Sequence, residues 1–82
     1  MLNKQRQTEI RRLEKQEAEI LSAIDELENE KNRMETALSN PEVYSNGEKA
    51  KAVKQKIDEC SARLRQKTAE WEALAAQMEM AR

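Results

Sequence analysis

Apolar residues recur at alternating steps of three and four along two long stretches of this chain. In the first they are Ile10, Leu13, Ile20, Ile24, Leu27, Met34 and Leu38, with Glu17 and Lys31 filling the two gaps. In the second they are Ala50, Val53, Ile57, Cys60, Leu64, Trp71, Leu74 and Met78, interrupted only at Lys67. A repeat of 3.5 residues keeps one narrow stripe on one side of a helix, which predicts two coiled-coil helices. Each is roughly 50–55 Å long at about 1.5 Å per residue. A stripe this narrow buries only a seam. That reconciles a folded chain with a composition of 38% apolar and 38% charged residues, which would otherwise fit disorder.

The two stretches are separated by Asn40 to Gly47, which holds the only proline (Pro41), tyrosine (Tyr44) and glycine (Gly47). Pro41 lacks a backbone donor and disfavours helix in the residue before it, so the first helix is expected to stop near Asn40. Ser45 and Glu48 have the S-x-x-E spacing of a capping box that starts the second. The expected organisation over residues 1–82 is one hairpin domain: helix 1 over about 3–39, a tip loop over 40–47 and helix 2 over about 48–81. Two helices joined by so short a loop pair antiparallel. The fold class is therefore all-α, an antiparallel two-helix coiled-coil hairpin.

Two registers suit the polar interruptions. If facing residues have numbers that add to 84, Leu13 meets Trp71 and Glu17 meets Lys67, with Glu30 near Lys56 and Glu28 near Lys54. If they add to 91, Glu30–Arg63 and Glu35–Lys54 flank the seam, but Glu17 lies against Leu74. The first matches more charges and is the expected one.

Charge is segregated: residues 16–36 carry seven acidic and two basic side chains, and residues 48–67 carry seven basic and three acidic ones. Hairpin folding sets these blocks side by side, so the basic block reads first as intramolecular complementarity. It is also the candidate footprint for phosphates: Lys49, Lys51, Lys54, Lys56, Arg63, Arg65 and Lys67. Lys51, Arg65 and the N-terminal Lys4, Arg6, Arg11 and Arg12 are left freer by the heptad assignment. The overall formal charge of −1 gives no global field toward a polyanion. Trp71 is expected as a large seam anchor, and Pro41 and Tyr44 as structural tip residues, Tyr44 and Val43 folding back over the hairpin end.

The chain has no histidine, no metal-ligand cluster and no phosphate-binding glycine loop, and a two-helix seam offers no concave pocket. No catalytic, cofactor or metal residue is expected. Cys60 at a seam position reads as a small buried hydrophobe, and one cysteine suits a reducing, cytoplasmic setting. No apolar run nears the roughly 20 residues of a membrane span, and MLNKQRQTEIRR has no secretory core. Outside the seam helix 1 offers only Leu21 and alanines, so a mostly monomeric hairpin is expected.

The tip A-L-x-N-P-E-x-Y (Ala37, Leu38, Asn40, Pro41, Glu42, Tyr44), followed by E-W-x-x-L (Glu70, Trp71, Leu74), resembles the C-terminal coiled-coil domain of ABC-F ATPases of the Uup type. The likeness spans roughly residues 10–80. It implies a non-catalytic appendage of a larger ATPase, cut from its C-terminus. Such proteins carry two ATP-binding domains in one chain, which would hold ATP and magnesium outside this segment, and no membrane domain. Their partners would be DNA or the ribosome and its RNA, besides the parent's own ATP-binding domains. Lys31, where that family has an apolar residue, and a lead-in without an aromatic connector depart from the pattern. Two alternatives stand beside it. One is the tRNA-contacting arm of a valyl-type aminoacyl-tRNA synthetase, whose F-V-x-x-A-P tip is missing here. The other is a spacer or protein-protein interaction hairpin.

Overall fold

The computed structural model describes residues 2–82, and Met1, the first residue of the expected domain, lies outside them. Helix α1 runs Leu2–Ala37, a single turn α2 runs Pro41–Tyr44, and α3 runs Gly47–Ala81. The long helices α1 and α3 pack against each other along their length, and α2 packs on α3. The result is an all-α helical hairpin, a rod of 65 × 14 × 12 Å. At about 1.5 Å per residue α1 accounts for roughly 54 Å of that length. The remainder is the tip, where the first residues of α3 run past the end of α1 and are covered by α2.

Burial follows the stripe. Leu13, Cys60, Leu74 and Met78 are buried, and the other apolar seam residues from Ile10 to Trp71 are half-buried. Leu13, only 1% exposed, forms the centre of a cluster with Leu74 and Met78, and Ile20 and Ala81 pack onto it. Cys60 is a buried free thiol, as its seam position predicts.

These contacts correct the expected register. Leu13 sits with Leu74 and Met78 rather than against Trp71, and Glu17 is reached by Trp71 rather than by Lys67. Leu13–Met78 adds to 91, and Ile20 packs on the same Leu74–Met78 cluster instead of facing Leu64, so the alignment is the one whose facing numbers add to about 91. Leu13–Leu74 and Glu17–Trp71, at 87 and 88, are neighbours one turn along. The physical reason lies in Glu17. Placed opposite Leu74 it would be an unpaired carboxylate in the seam, but the Trp71 indole N–H donates to its Oε2 at 3.2 Å. A neutral donor on the neighbouring turn meets the need that Lys67 was expected to meet.

The tip also differs from the expected loop. Asn40 is extended (φ −76°, ψ 123°), and its side chain accepts from the Glu42 amide at 3.0 Å, so it caps a new helical turn with Pro41 at its first position. Pro41 therefore starts a helix, because the first turn has no use for its missing N–H. Before it, the amides of Ser39 and Asn40 donate to Thr36 and Ala37 at 3.0 Å, tightening the end of α1. The capping box does not form. Ser45 closes α2 in helical geometry (φ −82°, ψ −9°) and its hydroxyl donates to the Pro41 carbonyl. Asn46, extended at φ −108° and ψ 108°, caps α3 instead, its Oδ1 accepting from the Glu48 and Lys49 amides at 3.1 and 3.2 Å. An N-cap needs an extended backbone and a short acceptor, and only Asn46 has both.

Candidate nucleic-acid interface

All seven basic residues singled out on α3 lie in one uninterrupted helix, yet the helical repeat does not bring them to one face. Lys49, Lys56 and Arg63, seven residues apart, line one edge of α3 at intervals of about 10 Å. Lys51, Lys54 and Arg65 line the opposite edge. Lys67 lies in the seam, half-buried, and its ammonium pairs with Glu70 of the same helix at 3.2 Å. The other six are exposed. Lys51 and Lys54 share a shallow groove at the start of α3 with Gly47, Ala50, Gln55 and Asp58. Lys54 also borders the groove between the long helices, where Lys31, Glu35 and Asp58 lie.

The complementarity expected between the acidic and basic blocks is not realised as ion pairs. Among the described residues the pairs are Arg12–Glu9, Lys67–Glu70 and Arg82–Glu79, each three residues apart within one helix. No pair bridges α1 and α3. The register separates Glu17 from Lys67, Glu30 from Lys56 and Glu28 from Lys54. The residues it sets alongside instead, Glu30 with Arg63 and Glu35 with Lys54, do not close an ion pair, although Glu35 and Lys54 line one groove. Exposed pairs worth about 0–1 kcal/mol each are too weak to oppose the packing of Leu13. Six of the seven candidate cations are thus left without a carboxylate partner.

Tyr44 does not fold back over the hairpin end. It is 60% exposed on α2, while the neighbouring Val43 is half-buried. A single helical turn can point only one of these two inward, and the smaller side chain takes that place. Pro41 has the structural role described above. Trp71 is half-buried in the seam with its N–H satisfied, as a seam anchor requires. The partners that sequence reasoning missed are Asn46, which sits one residue inside the assumed capping box, and Glu17 with Trp71. A visible signal for the latter was an indole donor on the turn beside a seam carboxylate.

Chemically, the arrangement offers fixed positive charge and little else. Among the described residues no group of three or more potential ligands could hold a metal ion, and no helix is long and apolar enough to cross a membrane. The Arg12 guanidinium is held above its usual pKa by its hydrogen bond to Glu9 and by that carboxylate's charge.

A family model described as the ABC transporter C-terminal domain matches residues 2–76. No curated protein and no solved structure matches the chain.

Proposed function

The chain belongs to the ABC transporter C-terminal domain family, and from that premise we propose that it is the interaction arm of an ABC-F-type ATPase, holding nucleic acid by its phosphates. In this reading ATP and magnesium bind in the parent's nucleotide-binding domains, against which the arm also rests. The parent carries no membrane domain, works in the cytoplasm on DNA or ribosomal RNA, and the hairpin acts as a monomer.

The observation that carries the reading is the state of the α3 cations. Lys49, Lys51, Lys54, Lys56, Arg63 and Arg65 are exposed and unpaired, although α1 brings a strongly acidic stretch alongside them. Charges needed for the hairpin's own pairing would be expected to be used by it. Their geometry suits phosphate contact and not base readout, because long, flexible cations on a helix edge provide counter-charge without a fixed donor pattern.

The test is salt-dependent binding of the 82-residue chain to duplex DNA, single-stranded DNA and ribosomal RNA fragments, repeated with Lys51→Glu, Lys54→Glu and Lys56→Glu combined. The expected result is affinity that falls steeply with salt and collapses in the variant. Salt-insensitive, negligible binding to all three would sink the reading and leave a spacer or protein-contacting hairpin.

A further inference from the structure

A second positive stretch of the rod, besides the basic block of α3, lies at the start of α1. Residues 1–15 hold five basic side chains and two acidic ones, whereas residues 31–60, which include the tip, hold six basic and five acidic ones. Within α1, Lys4, Arg11 and Lys15 fall within about 40° of one another around the helix at about 100° per residue. They lie about 10 Å and 6 Å apart along the axis. Arg12 stands beside them. All four are exposed, and the stripe lies on the side of α1 opposite Ile10, Leu13 and Glu17, which face α3.

Three features separate this stripe from an ordinary solvated face. The hairpin cannot use it, because it points away from α3, the other long helix among the described residues. Its charge is largely unspent, since Arg12 alone is ion-paired, with Glu9. Its end is sharp: residues 16–30, which follow Lys15 directly, hold six acidic side chains and no basic one, with Glu19 one turn past Lys15. Thr8, within the stripe, turns its hydroxyl to the Lys4 carbonyl at 3.0 Å and adds no opposing charge.

We propose that Lys4, Arg11, Arg12 and Lys15 form a second, independent phosphate-binding stripe, and that its ligand is the backbone of a nucleic-acid duplex. This rests on the reading of the domain as a nucleic-acid arm but places a contact on the other helix. The choice of duplex follows from what the stripe lacks. Single strands are held by cations together with aromatic faces on which unstacked bases lie. No aromatic side chain occurs in α1; the chain's two, Tyr44 and Trp71, are on α2 and in the seam. A straight, rigid row of cations with no stacking surface suits a polyanion whose bases are already stacked. The acidic run beyond Lys15 repels such a backbone and confines the contact to this end of α1.

The experiment compares three forms of the 82-residue chain: wild type, Lys4→Glu/Arg11→Glu/Lys15→Glu, and the α3 triple variant Lys51→Glu/Lys54→Glu/Lys56→Glu. Each is titrated with a DNA duplex, an RNA duplex and single-stranded DNA between low and moderate salt. Circular dichroism confirms helicity, and a Gln version of the α1 variant guards against effects of added negative charge. The expected result is a plot of log affinity against log salt that is shallower by about two to three for the α1 variant on duplexes, at about 0.9 per lost phosphate contact. Affinity at low salt should fall by roughly tenfold or more. The DNA and RNA arms tell which duplex is preferred. Unchanged duplex binding in the α1 variant, with loss only in the α3 variant, overturns the stripe and leaves the domain's proposed function standing. A loss seen only with single strands overturns the duplex assignment. Absence of binding by the wild type overturns both.

Discussion

Removing the contact between Glu17 and Trp71 tests the register of the whole rod. The indole N–H donates to a carboxylate at 3.2 Å in a part-buried position. Hydrogen bonds to charged groups contribute about 1.5–3 kcal/mol when buried and less when water can compete. Partial exposure here places the coupling near 1 kcal/mol. It is read from a double-mutant cycle of Glu17→Ala and Trp71→Phe, each protein unfolded in urea and followed by circular dichroism. The same cycle with Glu17→Ala and Lys67→Ala should give a coupling within about 0.3 kcal/mol of zero, the usual scatter of independent sites. Lys67 is already engaged by Glu70 on its own helix. Coupling of Glu17 to Lys67 that exceeds its coupling to Trp71 would refute the reasoning and restore the register in which those two residues face each other.

Two further substitutions probe the seam and the tip. Leu13→Ala should destabilise the hairpin by about 2–3 kcal/mol, the low end for a buried leucine because so narrow a seam can partly close the gap. Thermal unfolding should shift down by roughly 10–20 °C, and a shift below about 5 °C would mean that Leu13 is not the centre of the packing. Asn46→Ala should cost about 1 kcal/mol by removing the acceptor for two amides, while Ser45→Ala should cost less than about 0.5 kcal/mol. The reverse order in denaturant midpoints would reinstate the capping box.

The hairpin itself was legible because heptad spacing is a property of one chain read locally. Ile10 to Leu38 and Ala50 to Met78 each declare a stripe, and a proline-containing break between them leaves only one way to cover both. Register was less legible for a reason internal to the same pattern. Sliding one helix by a full heptad returns every seam residue to a seam position, so the apolar repeat is satisfied equally by either alignment. Only the exceptions discriminate, and charge matching assigned Glu17 to Lys67 while the folded chain gives it to Trp71. Pro41 was ambiguous in a similar way. The same residue that ends a helix before it is well suited to begin one after it, and Asn40 immediately ahead is the preferred cap for that second role.

The basic residues show where charge counting reaches its limit. Two blocks of opposite sign brought together by a fold invite the conclusion that they neutralise each other. Whether they do depends on register and on the edge each side chain occupies. A shift of seven residues moves the partners of the first register apart by about 10 Å, well beyond ion-pair distance. The neighbours it supplies in their place, such as Glu35 beside Lys54, share a groove without closing a pair. Packing of Leu13 against Leu74 and Met78 outweighs several exposed pairs, so the apolar seam sets the alignment and the charges follow. The cations that remain unpaired are then fixed by geometry. On α3 they are divided between two edges and interleaved with Glu48, Asp58 and Glu59, whereas on α1 Lys4, Arg11 and Lys15 share one line facing solvent. A polyanion approaching this rod meets a cationic strip at one end, an acidic middle stretch of α1, and a mixed tip. Its preferred contact is decided by how charge is arranged in space, to which the net value of −1 gives no guide.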